Sequence, residues 1–393
     1  MHYNIAIISD LHCKYEDQKN VSASQNNLLF SNQRKNPKQH PVIALEVLLK
    51  ENQITCDYLL CTGDISDQMC DQGLMSGWQY IEEIGRFLNV KEILSTVGNH
   101  DVDSFGKYNP QPYNDLTKSL GNNFPITDMD CVKNFWSENF FIKELGDYVF
   151  LVFNSAHDHY DKTRAKQSNI SEELVSKIEK ELHNLKDKPV HKIAMCHHHP
   201  YNFSNNNLYF RDVEIIDGGN TFLNMLEKNG FHLFIHGHKH IPRLEYFNRL
   251  PVFCSGSYSS LNNLLGKGIL NTFHLLSFDE HDLHKGEITT YGFAVGSGWK
   301  EIAEEDPFFP ALTGFGYRND QINILVDQIA NWYNAKDSAN LPFELLLNEF
   351  PNIKYLVPSD QKQLTDILQE KHNIVIYPSF FSFHRRIISK LIS

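Results

Sequence analysis

Short apolar runs recur through residue 240, and most of them break into a polar cluster at the carboxyl end. Residues 3–9 are apolar and β-branched, which predicts a buried strand, and Asp10-Leu11-His12 follows it. A second strand is predicted at 58–62, ending in Gly63-Asp64, and a third near 93–97, ending in Gly98-Asn99-His100-Asp101. The runs at 148–154, 192–196 and 231–235 predict three more. The second of these leads into His197-His198-His199-Pro200, and the last into Gly237-His238-Lys239-His240. Further strands are predicted at 251–254, 272–278 and 287–293.

Between these runs the apolar period lengthens to that of a helix. Pro41 opens one helix, with Val42, Leu45, Leu48 and Leu49 on a common face. Others are predicted at 78–88, from Ser171 (Leu174, Ile178, Leu182 and Leu185 on one face) and at 222–228. Residues 14–40 read as an exposed insertion. The polar stretch 102–130 is long for a loop and is expected to wall an active site. Gly, Pro and acidic residues gather at 296–318, which reads as a linker between a domain at 1–295 and a smaller, mainly helical one at 319–393. In the latter, helices are predicted at 322–333, 343–350 and 361–369, with a strand at 373–377. The run 380–392 alternates Phe381, Phe383, Ile387 and Ile388 with His384, Arg385, Arg386 and Lys390. It reads as an amphipathic helix, docked on its own domain in preference to a membrane or a partner.

Composition narrows the function. The net charge of -12 over 393 residues argues against a sequence-independent nucleic-acid binder, which needs a basic footprint. The 7 cysteines are odd in number and show no framework spacing, so they are expected to be reduced thiols in a cytoplasmic protein. No signal peptide or membrane-length apolar run is visible. The 20 histidines cluster, and carboxylates, an amide and imidazoles at successive strand ends are what a divalent-metal centre requires.

The ordered set Asp10-x-His12, Gly63-Asp64, Gly98-Asn99-His100-Asp101, a strand-end His before Pro200, and Gly237-His238-x-His240 resembles the calcineurin-like metallophosphoesterase family over residues 1–295. The resemblance implies an α/β (α+β) fold, a four-layer αββα sandwich. It also implies two divalent metal ions, Mn²⁺ first, with Fe or Zn as alternatives. Asp10, His12 and His240 would hold one ion, Asn99, His198 and His238 the other, and Asp64 would bridge them. His197 remains a rival to His198, because three histidines stand in a row. His100 would contact the phosphoryl oxygen or the leaving group, with Asp101 orienting it. The expected reaction is hydrolysis of a phosphodiester by a hydroxide held between the metals. A nucleotide or other small diester is the first expectation. A nuclease of the repair-exonuclease type and a non-enzymatic scaffold subunit are the alternatives. Tyr108, Tyr113, Asn122, Tyr201 and Tyr209 are the residues expected to line the substrate. His157, His159, Arg164 and Arg211 are expected to be structural or solvated rather than part of the site. The C-terminal domain is expected to tune activity, bind a partner or mediate oligomerisation.

Overall fold

The computed structural model describes residues 1–15, 27–31, 36, 38–105, 120, 123–159, 161, 164, 168–201, 215–261, 270–302, 309–318, 322–377 and 386–391. Two large sheets form its centre. The first is 7-stranded and mixed. Its parallel half is β1 (His2–Ile8), β2 (Thr55–Cys61) and β3 (Glu92–Ser95). Its antiparallel half is β10 (Asn271–Phe278), β11 (Gly286–Ala294), β12 (Gly298–Glu301) and β13 (Leu312–Phe315). The second sheet is 6-stranded, in the order β4 (Phe140–Leu145), β5 (Tyr148–Phe153), β6 (His191–Met195), β7 (Leu233–His236), β9 (Leu250–Ser255) and β8 (Pro242–Phe247). From β5 to β9 its strands are parallel, and β4 and β8 close the edges antiparallel.

Strand periodicity decides what faces what. Along β5, Phe150 and Val152 enter the core shared with Ile5, Leu59 and Leu94 of the first sheet. Their neighbours Val149, Leu151 and Phe153 point the other way, into a second core. That second core holds Val175, Ile178 and Leu182 of α4 (Glu172–Leu182) and Phe222 and Leu226 of α5 (Gly219–Lys228). α1 (Pro41–Glu51) packs against β12, and α2 (Asp71–Leu88) packs against β2 and β3. α3 (Met129–Glu138) packs beside β4. Helix, sheet, sheet, helix is the expected four-layer αββα arrangement. It leaves the carboxyl ends of β1, β2, β3, β6 and β7 at one rim.

The C-terminal part has its own core, built from Ile322, Leu325, Ile329, Leu364, Leu368 and Ile388. It contains α6 (Ile322–Asn334), α7 (Phe343–Glu349) and α8 (Pro358–His372). It also holds a 3-stranded antiparallel sheet, ordered β14 (Asn340–Pro342), β16 (Ile387–Lys390), β15 (Ile374–Tyr377). It is mainly helical, as expected, with this small sheet beside the helices. The run expected as a terminal helix contributes strand β16, whose β-branched Ile387 and Ile388 suit a sheet. Its residues 380–385 and 392 lie outside the described residues. The stretch expected as a linker carries β12 and β13, both paired with β11. Its glycines make turns between strands, Gly296 and Gly316 at positive φ, rather than a free connector. β4 and β8 are strands that the sequence reading passed over. All 7 cysteines are free thiols, and no helix of the described residues is long and apolar enough to cross a membrane.

Candidate metal centre

At the carboxyl rim the chain leaves each strand in a sharp turn. Asp10 (φ 52°), His12 (φ 46°), Asp64 (φ 51°), His238 (φ 70°) and His240 (φ 57°) all lie in the left-handed region. L-residues rarely adopt it, and here it turns polar side chains back over the strand ends. The loops are locked to one another: Asp10 N–H donates to Gly63 O (3.0 Å) and His12 N–H to Asp64 O (2.9 Å). Ser9 Oγ donates to Asp10 Oδ2 (2.6 Å), and His238 N–H reaches the same carboxylate (3.1 Å). Gly237 and Gly98 permit this closeness. A Cβ at Gly237 would lie 2.0 Å from Ser9 Oγ, and one at Gly98 2.1 Å from Asp64 Oδ1.

Among the described residues, three groups of potential donors converge: Asp10, His12, Asp64 and His240; His197, His198 and His238; and His12, Asp67 and His100. In the first, His12 Nε2 and His240 Nε2 are 3.0 Å apart, and His240 Nε2 is 3.3 Å from Asp10 Oδ1. In the second, Asn99 Oδ1 is 3.1 Å from His197 Nε2 and 3.0 Å from His238 Nδ1. Asp64 Oδ2 stands between the two groups, 3.6 Å from His12 Nε2 and 3.3 Å from His197 Nε2. Its other oxygen accepts from His100 N–H at 2.8 Å.

Electrostatics fit a cation at each group. Burial lowers the pKa of His12, and of His198 and His238 well below normal, leaving neutral imidazoles with lone pairs to offer. Burial opposes the charge on Asp64, yet His197 and His100 hold its carboxyl well below the usual range. Burial likewise opposes charge on His197, but Asp64 and Asp10 raise it to about 9. Imidazole, carboxylate and amide donors suit borderline divalent ions such as Mn²⁺, Fe²⁺ and Zn²⁺.

The residues expected as metal ligands, together with His100 and Asp101, lie at this rim, with two differences in placement. His197 is fully buried and faces Asp64, Asn99 and His238. His198 belongs to the same donor group, but its Nδ1 is held by Ser155 Oγ at 2.8 Å. Asp101, expected to orient His100, instead braces the turns. Its Oδ1 accepts from Ser66 N–H (2.7 Å) and its Oδ2 from Gly98 N–H (2.9 Å). Burial and the Asp64 charge raise it to about 6.

The carboxylate at His100 is Asp67, which the sequence reading missed. Asp67 Oδ1 lies 3.1 Å from His100 Nδ1, closer than the Gln68 amide at 3.3 Å, and 3.6 Å from His12 Nδ1. Burial works against charge on His100, but Asp64 and Asp67 outweigh it and raise its pKa to about 9.

His159, expected to be structural, is buried against His198, with ring centroids 4.8 Å apart. Arg164 pairs with Asp158 at 3.0 Å. Tyr201 packs its ring on Phe247 (5.7 Å) toward the second core. Tyr108, Tyr113, Asn122, Tyr209 and Arg211 lie outside the described residues. A cavity of about 430 Å³ opens over the first group, lined by His12, Lys14, Tyr15, Asp67, His100 and His240.

Carboxylate, imidazole and amide donors thus converge at one rim of a two-sheet sandwich. The sequence model of the calcineurin-like phosphoesterases matches residues 3–242, and the chain belongs to that family. Among solved structures it is similar to a dimetal phosphatase from Danio rerio (10% identity, TM-score 0.47, covering 74% of this chain and 96% of that one). It is also similar to the phosphopantetheinyl hydrolase of Mycobacterium tuberculosis (11%, 0.38, 65% and 90%). A third is a Vps29 from Entamoeba histolytica in complex with Zn²⁺ (12%, 0.33, 75% and 95%). No curated protein matches.

Proposed function

We propose that this chain is a dinuclear metal-dependent phosphodiesterase acting on a nucleotide or another small diester. The observation that carries the reading is the position of Asp64 Oδ2 between two donor groups, 3.6 Å from His12 Nε2 and 3.3 Å from His197 Nε2. In this reading Asp10, His12 and His240 hold one ion, and Asn99, His197 and His238 the other, with Asp64 common to both. The geometry favours His197 over His198 as the donor nearest Asp64. His198 belongs to the same donor group, with its Nδ1 tied to Ser155. Bound divalent ions would supply electrophilic charge at the phosphoryl oxygens and an activated nucleophile.

The protein's own groups do the rest. Asp67 accepts from His100 Nδ1–H, which fixes the ring and leaves Nε2 for substrate at the cavity. Held protonated by Asp67, His100 can donate to a phosphoryl oxygen or to the departing oxygen. Lys14 adds positive charge at the mouth, 3.6 Å from Asp67 Oδ2.

The experiment is a substrate panel with Mn²⁺-, Zn²⁺- and Fe²⁺-loaded protein. It compares bis-p-nitrophenyl phosphate and cyclic nucleotides with single- and double-stranded DNA at two salt concentrations. Small diesters are expected to turn over faster than DNA, with Mn²⁺ giving the highest rate. Exonuclease activity with small diesters untouched would promote the nuclease reading. Metal-loaded protein inert on every ester would promote the scaffold reading.

A further inference from the structure

A large cavity lies away from the metal centre. It holds about 760 Å³ where the sandwich meets the C-terminal part. Its walls come from elements far apart in sequence. Arg249 comes from the turn between β8 and β9, His284 from the turn before β11, Arg318 from the exit of β13, and Asp360 from the first turn of α8. The floor is aromatic: Phe231 and His232 at the start of β7, and Tyr246 on β8. His232 lies six residues before His238, so the cavity is at the opposite end of β7 from the metal centre, roughly 20 Å away at about 3.3 Å per residue.

The lining has the chemistry of an anion site. Arg249 and Arg318 are exposed, and neither forms an ion pair with a carboxylate among the described residues. Arg318 lies over the Tyr246 ring, its guanidinium carbon 5.8 Å from the centroid. That ring is fixed, since Tyr246 Oη accepts from Gly316 N–H at 2.7 Å. His284 packs edge-on to His232, ring centroids 4.9 Å apart. One lining carboxylate opposes the arginines, Asp360, which is buried and accepts from Ser359 Oγ at 3.4 Å. The nearby Glu227 carboxylate is occupied by Arg249 N–H (3.2 Å) and Asn248 Nδ2 (3.3 Å).

We propose that this cavity is a second ligand site, distinct from the metal centre, for a small phosphate ester with a flat aromatic body, such as a nucleoside monophosphate. The two guanidiniums take the phosphate in charge-assisted hydrogen bonds, and Tyr246, Phe231 and His284 offer surface for the ring. The proposal does not depend on the reaction at the other rim.

The test titrates metal-loaded, full-length protein calorimetrically with the phosphonate analogue of AMP, which cannot be hydrolysed, and with adenosine. The wild type is expected to bind the analogue at least about tenfold more tightly than adenosine, and Arg249→Glu/Arg318→Glu to lose at least about tenfold in affinity. Turnover of bis-p-nitrophenyl phosphate by that variant should stay within about twofold of the wild type, since neither arginine is near the metal centre. Arg249→Lys/Arg318→Lys should retain most of the affinity. Equal affinity in wild type and the Glu variant would overturn the proposal, because any binding would then be at the metal centre. Adenosine binding as tightly as the phosphonate would overturn it too.

Discussion

Gly98→Ala tests whether the metal-centre loops are as tightly interlocked as their distances indicate. The new Cβ would lie 2.1 Å from Asp64 Oδ1 and 2.5 Å from Asp64 N. Ordinary contact begins near 3.4 Å, so the carboxylate oxygen must retreat by about 1.3 Å, the difference of 3.4 and 2.1. The backbone nitrogen cannot step aside by rotation, because residues on both sides are tied into the Asp10 and His12 loops. Retreat breaks the hydrogen bond from His100 N–H to Asp64 Oδ1. A bond to a charged acceptor contributes about 1.5–3 kcal/mol and overpacking costs about 1–3 kcal/mol more, so a loss of about 3–5 kcal/mol is expected. Thermal melting of metal-free protein should fall by about 5–10 °C. Elemental analysis after Mn²⁺ loading should find fewer than two ions, since Asp64 Oδ2 moves with its partner oxygen. Gly85→Ala is the control. Its Cβ also meets a close atom, Ile93 Cδ1 at 2.8 Å, but that is the free end of a flexible side chain, and the site is inside α2. Alanine is favoured there by about 1 kcal/mol, which offsets the contact. A Gly98→Ala protein with unchanged melting and a full complement of metal would refute the reasoning.

Three further outcomes are expected. His197→Ala should lose the ion shared with Asn99 and His238, while His198→Ala keeps two ions and loses only part of its turnover; the reverse pattern by elemental analysis would move the ligand by one position. Asp67→Asn should retain its metal but slow turnover by about 10²-fold, the scale of one acid–base group, because the ring of His100 loses its anionic partner; wild-type kcat would show that Asp67 does not position it. Stability should fall as pH drops below about 6.5, because burial lowers His274 to about 4 and His232 to about 3. The unfolded chain takes up those protons near 6.5 while the folded chain refuses them, so His274 alone removes about 3 kcal/mol between pH 6.5 and 4. Urea midpoints at pH 7 and 5 measure this, and His274→Gln should flatten the slope.

The strand-end motifs were legible because each joins an apolar run to a polar turn within a few residues, so strand and donor are read from one stretch. Asp67 was not, because its role exists only across the parallel pair β2–β3, which brings its loop against His100. The choice between His197 and His198 had the same character. Both follow β6, and what separates them is that one reaches Asp64 and Asn99 while the other reaches Ser155. Asp101 misled by adjacency: sequence proximity suggested His100 as its partner, and the turn points it at Ser66 and Gly98 instead. At 296–318 glycine, proline and acidic residues read as a linker, yet β11 is nine residues long and takes β12 on one stretch and β13 on another. Composition cannot distinguish a connector from a tight meander.

The left-handed turns at Asp10, His12, Asp64, His238 and His240 have a consequence for how such a chain drifts under mutation. Each position costs of order 1–3 kcal/mol in backbone strain, which glycine would relieve. Replacing Asp10, His12 or Asp64 by glycine also removes a buried carboxylate or imidazole, with the desolvation it carries. Loss of a donor therefore releases strain but also forfeits bonds such as that from His100 N–H to Asp64 Oδ1, so the relief offsets only part of the cost. In a lineage released from the chemistry, that strain would soften the cost of each lost donor.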